Sequence, residues 1–176
     1  IKKKVDFIFH AAAYKHVNLL EKNKLSAIRN NFIGTLSILR AIKGLRINLS
    51  IISTDKAVFP KSILGITKRA SEIIASNFSK NFAYKNTKIN IVRFGNVFGS
   101  QGSAIETFVD QIKNQKEITI TSFNMKRYFM SIREACNLVI QSAVLEFKNK
   151  IFILDMGKQI KIINLIKKIL DFYKKN

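Results

Sequence analysis

The sequence predicts an α/β fold built on a doubly wound parallel sheet, with the first half of that sheet absent. Three observations carry this. Apolar runs of strand length alternate with longer stretches of helical period. Residues able to do chemistry follow the carboxyl ends of those runs, where open α/β sheets place their ligands. No Gly-x-Gly-x-x-Gly turn joins a strand to a helix anywhere in the chain, although seven glycines are present.

Residues 5–9 alternate small and large apolar side chains and end at His10, the pattern of a buried strand. Residues 18–44 carry Leu19, Leu20, Ala27, Ile28, Phe32, Leu36 and Leu39 near helical spacing, with Gly44 as a stop. A strand over 49–53 follows, then an amphipathic helix over 65–82 and a third strand over 89–94. Residues 95–102 form a glycine-bearing loop. Beyond it the pattern predicts a helix over 104–113, a short strand over 117–121, and a helix over 132–147. A strand over 151–154 and a basic amphipathic helix over 160–173 complete the series. Pro60, the one proline, sits in the loop between the second strand and its helix.

With 47% hydrophobic and 10% aromatic residues the chain can build a core, which excludes a disordered protein. The 31 Lys and Arg against 11 Asp and Glu give a formal charge of +20. One reading is attraction to nucleic acid, acidic membranes or phosphate-bearing ligands. The other is a general richness in Lys, Ile and Asn, and it is preferred. The positive charges form no single block, and no zinc-finger or aromatic RNA-binding signature accompanies them. Nucleic acid is therefore not an expected partner.

Cys136, the one cysteine, falls in an apolar helical pattern and reads as a buried small side chain. His10 and His16 are open to reading as ligands or bases, but no cysteine or acidic cluster beside them makes a metal site. No apolar run reaches transmembrane length and no signal-peptide pattern opens the chain. The first residue is isoleucine, so the natural start is expected to lie upstream.

The strongest chemical signal is Ser53-Thr54-Asp55-Lys56 at the end of the second strand. A carboxyl group can deliver a proton to a leaving hydroxyl, and an adjacent amine can take one from carbon. The plain alternative is a solvated ion pair. Adjacent residues on an extended chain point to opposite sides, so both serve one substrate only if the strand ends here and the backbone turns. Lys68 lies four residues after Leu64 and shares its helical face. It reads either as a ribose-orienting cation or as one more surface lysine. Ala11, Ala12 and Ala13 after the first strand would let a flat ligand approach the backbone, or serve packing alone. Arg93-Phe94-Gly95-Asn96-Val97-Phe98-Gly99 suits a ligand loop or an ordinary turn. Arg127 offers a phosphate fork or a surface charge.

Together these segments resemble the extended short-chain dehydrogenase/reductases. The likeness is to the polysaccharide-biosynthesis group of nucleotide-sugar 4,6-dehydratases, which act on UDP-N-acetylglucosamine. The blocks that carry it are Phe9-His10-Ala11-Ala12-Ala13-Tyr14-Lys15-His16-Val17, Asn30-Asn31-Phe32-Ile33-Gly34-Thr35 and Ser53-Thr54-Asp55-Lys56-Ala57-Val58-Phe59-Pro60. Leu64-Gly65-Ile66-Thr67-Lys68-Arg69, residues 92–103 and Arg127-Tyr128-Phe129-Met130 continue it. Order and spacing match over nearly the whole chain.

The resemblance implies a partial Rossmann-like sheet and a small C-terminal substrate-binding portion. Residues 1–100 would be the C-terminal half of an NAD-binding domain with the catalytic residues. Residues 101–176 would mix substrate-binding structure with the last Rossmann elements. It implies a tightly bound NAD or NADP, reduced and reoxidised in each turnover, and a UDP-sugar substrate. It also implies a homo-oligomer at full length, located in the cytoplasm or on the cytoplasmic face of the inner membrane. Asp55 would protonate the departing C6 hydroxyl, Lys56 would take the C5 proton, and Thr54 would polarise the C4 oxygen. Lys68 would hold the nicotinamide ribose. Ala11, Ala12, Ala13, Asn31, Ser53, Phe94, Gly95 and Val97 would line the cofactor, and Lys15, Asn96 and Arg127 the UDP-sugar.

Two departures stand out. Leu64 occupies the position where the broad family has a proton-transferring tyrosine, though members of this group often carry methionine there. The family's first strand, glycine-rich turn and adenosine-binding acid are missing. The isolated chain is therefore expected to turn over weakly or not at all. A nucleotide-sugar epimerase and an inactive remnant are the alternatives.

Overall fold

The computed structural model describes residues 4–100, 102–120 and 122–175. The chain divides into two compact units, Ile1–Phe94 with Asn137–Leu154, and Gly95–Cys136 with Asp155–Asn176.

The first unit is organised by a four-stranded, wholly parallel sheet of order β1-β2-β3-β7. The strands are β1 (Phe7–His10), β2 (Asn48–Thr54), β3 (Lys88–Phe94) and β7 (Ile151–Ile153). Leu49 pairs with Ile89 and Ile51 with Ile91, so the period of two puts these four on one face. There they form a core with Leu39, Ile42, Ala75 and Tyr84. The Tyr84 hydroxyl donates to the Leu39 carbonyl at 3.0 Å, satisfying the polar end of a buried ring.

The region expected as one helix over 18–44 is four pieces. These are α1 (Val17–Lys22), α2 (Lys24–Ala27), a π-helical turn (Ile28–Ile33) and α3 (Gly34–Ala41). Asn23 breaks it: its side chain donates to the Leu19 carbonyl and its backbone leaves helical angles, the local competition typical of asparagine. The π turn has its own cause. The Asn31 carbonyl accepts from the Thr35 hydroxyl at 2.7 Å and the Ser71 hydroxyl at 3.0 Å, and such insertions distort the regular ladder. Apolar spacing carries no trace of either contact.

A 3-10 turn (Asp55–Ala57) follows β2, then α4 (Ile63–Lys80). The Ser62 hydroxyl caps α4 by accepting from Gly65 N, and Glu21 accepts from Ile63 N. A second 3-10 turn (Phe82–Tyr84) leads to β3.

The second unit holds β4 (Asn96–Val97), α5 (Ala104–Lys113), β5 (Lys126–Arg127), β6 (Phe129–Met130), β8 (Ile160–Lys161) and α7 (Ile162–Lys175). β4 pairs with β6 in parallel, and β5 with β8 antiparallel. Phe108, Ile162 and Ile166 form its core, with Ile118, Ile120, Met125 and Phe129 packed around them. The strand expected over 117–121 is not formed: residues 117–120 are irregular, and Thr121 lies outside the described residues. Ile118 and Ile120 still pack inward, which explains why their alternation reads as a strand.

α6 (Ile132–Val144) completes the elements. Cys136 on it is exposed, not buried. The inward positions are Ala135, Val139 and Ala143, and Cys136 is one residue off that face. The first strand also starts two residues later than expected and includes His10.

Candidate functional site

β2 ends at Thr54 and the chain turns at once. The Thr54 hydroxyl donates to Asp55 Oδ1 at 2.9 Å and accepts from Lys56 N at 3.4 Å. The 3-10 turn brings two adjacent side chains together that an extended strand would separate. Lys56 Nζ lies 3.0 Å from Asp55 Oδ1, with the two side chains 33% and 38% exposed. An acid and an amine therefore stand side by side, open to solvent, at the carboxyl end of a central strand.

Lys68 is half-buried on α4 and donates from Nζ to the Ile52 carbonyl at 2.7 Å. Burial pulls its ammonium down to about 8, and the nearby Glu72 carboxylate pushes back upward. It is not the surface lysine of the plain reading. His10 is buried at the end of β1, with Nε2 2.9 Å from Thr35 Oγ1. Because the Thr35 proton goes to the Asn31 carbonyl, His10 Nε2 carries the hydrogen of that contact. Burial, followed by the Lys68 charge, lowers the His10 pKa. His16 is exposed at the start of α1.

Ala11 and Ala12 are exposed and Ala13 is half-buried, just past β1. Asn31 holds this segment. Its Oδ1 accepts from Tyr14 N at 2.8 Å, and its Nδ2 donates to Tyr14 O at 3.0 Å and to Thr67 Oγ1 at 3.2 Å. Asn31 is 1% exposed, so its side chain shapes the loop rather than reaching a ligand. Lys15 is exposed on that same loop. Phe94 pairs with Thr54 at the carboxyl edge of the sheet.

Ser53 points inward. Its hydroxyl donates to Glu72 Oε1 at 2.6 Å. Arg93, the register partner of Ser53 on β3, forks onto the same carboxylate at 2.7 and 2.6 Å. Arg69 adds a third donor residue at 3.1 Å. Burial works to raise the Glu72 pKa, but the hydrogen bonds from Arg93, Ser53 and Arg69 outweigh it and hold the carboxyl below its usual range. Glu72 and its partners escape a reading by motif. The available signal is an acid four residues after Lys68, in a chain with few acids.

In the second unit, Gly95 N donates to Met156 Sδ at 2.9 Å. Asn96 and Val97 form β4, where Asn96 N donates to the Tyr128 carbonyl at 3.2 Å. Arg127 is half-buried on β5 and donates to the Lys126 carbonyl at 2.8 Å. The structure thus gathers Ser53, Thr54, Asp55, Lys56, Lys68, Asn31, Phe94 and the alanine segment in the first unit. Gly95, Asn96, Val97 and Arg127 belong to the second.

A family model described as polysaccharide biosynthesis protein matches residues 1–176. The capsular polysaccharide biosynthesis protein CapD of Staphylococcus aureus is 43% identical over 164 residues, which are 93% of this chain and 27% of that protein. A UDP-glucose 4-epimerase of Rickettsia canadensis is 39% identical over 137 residues, 77% of this chain and 40% of that enzyme. Among solved structures, the UDP-glucuronic acid 4-epimerase of Bacillus cereus, in complex with UDP-glucuronic acid and NAD, superposes with a TM-score of 0.87 at 21% identity. That match covers 97% of this chain and 60% of the epimerase, and it shows the shared α/β fold. The chain spans about a quarter to two fifths of the length of these two relatives. On its sequence match from end to end, the chain belongs to the polysaccharide biosynthesis protein family.

Proposed function

We propose that this segment supplies the catalytic residues of a nucleotide-sugar 4,6-dehydratase, converting UDP-N-acetylglucosamine to a UDP-4-keto-6-deoxy sugar for surface polysaccharide. The observation that carries the reading is the Asp55–Lys56 pair, held side by side on the turn that ends β2. Eliminating water across C5 and C6 needs one group to take a proton from carbon and another to give one to oxygen, and this pair has both.

NAD or NADP, when bound, supplies reversible oxidation at C4 and reduction at C6. The donor set suits the nicotinamide end of such a cofactor. Ile52 takes one of the three donors of the Lys68 ammonium, which leaves a half-buried cation suited to ribose hydroxyls. Just past the neighbouring strand, methyl-sized Ala11 and Ala12 let a flat ring approach the backbone. Asn31 fixes that segment, Ser53 acts through its bond to Glu72 rather than by touching the cofactor, and Phe94, Gly95 and Val97 are further residues proposed for the cofactor.

Lys56 takes the C5 proton once the C4 ketone has acidified it, and Asp55 protonates the departing C6 hydroxyl. Thr54 polarises the C4 oxygen, and Lys15, Asn96 and Arg127 bind the UDP-sugar. Buried Leu64 transfers no proton, so the C4 hydroxyl proton passes by way of Lys56 or the Thr54 hydroxyl to the Asp55 carboxylate, which later delivers it to the departing C6 hydroxyl and leaves Lys56 neutral to take the C5 proton. The enzyme works in the cytoplasm, or at its membrane face, as a homo-oligomer. Among the described residues no helix is long and apolar enough to cross a membrane.

The second reading, a 4-epimerase using the same first oxidation, is favoured by the Rickettsia relative. A chimera decides between them. Residues 1–176 replace the matching segment of the Staphylococcus aureus relative, and the product from UDP-N-acetylglucosamine is weighed. Loss of one water supports the dehydratase. An isomer of unchanged mass supports the epimerase. The isolated chain is expected to show little turnover.

A further inference from the structure

Glu72 is 1% exposed, yet nothing in the proposed chemistry uses it. A buried carboxylate is costly unless every partner is in place. Here the partners come from three elements: Ser53 at the carboxyl end of β2, Arg93 at the carboxyl end of β3, and Arg69 on α4 itself. Ser53 and Arg93 are directly opposed in the sheet, so one carboxylate bridges the two central strands just before the Asp55–Lys56 turn. Lys68 lies one turn earlier on the same helix, tied to the Ile52 carbonyl beside Ser53.

We propose that Glu72 is a positioning residue, whose ionised carboxylate fixes α4 to the carboxyl ends of β2 and β3 and so sets both the place and the charge of Lys68. The consequence for the cofactor rests on reading Lys68 as the ribose-holding cation. The test does not, because it reads Lys68 without sugar or cofactor.

Several charged groups lie on α4 and on the elements packed against it. Glu72 is on its own helix, His10 is at the end of β1, and the Asp55–Lys56 pair is in the turn packed against α4. Arg69 and Arg93 bind the Glu72 carboxylate, and Lys88 on β3 donates to the Ala143 carbonyl. Glu21, Lys22, Lys24, Arg29 and Arg40, on other elements against α4, are exposed. Glu72 is the one whose charge supports the Lys68 ammonium.

The experiment is an NMR titration of the full chain with 13Cε-labelled lysine, the Lys68 signal assigned by its loss in Lys68→Arg. Parent Lys68 is expected to titrate at about 8. Glu72→Gln keeps the size of the side chain and removes its charge, and should lower that value by about one pH unit. Glu72→Asp keeps the charge and should restore most of it. A structural filler would affect stability in both variants without separating them this way. If the unpaired Arg93 unfolds Glu72→Gln, the double variant Glu72→Gln/Arg93→Met removes both buried charges and should still lower the Lys68 value, by less than Glu72→Gln because a cation that opposes the ammonium goes too. Unchanged titration in the Gln variants, or an equal drop in Glu72→Asp, overturns the proposal.

Discussion

A Cβ placed on Gly65 would stand 2.5 Å from the carbonyl oxygen of Lys56 and 3.2 Å from Pro60 Cα. The first turn of α4 therefore lies against the turn bearing the Asp55–Lys56 pair at a distance that only glycine permits. Both contacts are backbone, so neither yields by a rotamer change. Gly65→Ala should cost about 1–3 kcal/mol, the usual range for overpacking. Amide shifts over residues 54–57 should move with it. Urea denaturation and backbone NMR check this, and an alanine variant with parental stability and unmoved shifts would refute the close packing.

Asn31 makes a reciprocal pair with the backbone of Tyr14 from a fully buried site. Asn31→Ala leaves the Tyr14 N–H without that acceptor and should cost about 1–3 kcal/mol. Hydrogen exchange at the Tyr14 amide should accelerate by more than global destabilisation accounts for. Exchange that merely follows global stability would show that Asn31 does not anchor the alanine segment.

Leu64 is 7% exposed and packs with Leu20 and Ala27. Leu64→Ala opens a cavity and should cost about 2–5 kcal/mol. Leu64→Met nearly conserves volume and should cost less than about 1.5 kcal/mol. Equal denaturation midpoints for the two variants would contradict a packing role at this position.

The Glu72 carboxyl, held below its ordinary 4.5, links stability to acid. The folded chain keeps it ionised where the unfolded chain takes up a proton. Its contribution is full above about 4.5 and is lost as pH falls through the folded value. Ser53→Ala removes one donor and narrows that gap, so the variant should lose less stability on acidification. Urea midpoints from neutral pH down to pH 2 measure it. Parallel acid profiles for parent and variant would mean that Ser53 does not stabilise the ionised form.

Much of the sheet was legible because buried parallel strands are short apolar runs, as at residues 49–53 and 89–94. The end of β2 was legible as a turn because an acid and a lysine stood where a strand had to stop, and the structure sets those two side chains together there. What sequence hid was side chains answering to backbone. Asn23 and Asn31 break a helix that apolar spacing draws as continuous. Glu72 looks like any helical acid until Ser53 and Arg93 converge on it. Cys136 missed the buried face by one position, an error that periodicity cannot resolve over a single turn.

The central claim is that Asp55 and Lys56 perform elimination. Its most direct test is the chimera's reaction with UDP-N-acetylglucosamine in heavy water. The account predicts a product lighter by one water and carrying one deuterium at C5. Water loss should fall sharply in both Asp55→Asn and Lys56→Ala. A product of unchanged mass, inverted at C4 and free of deuterium at C5, would contradict it.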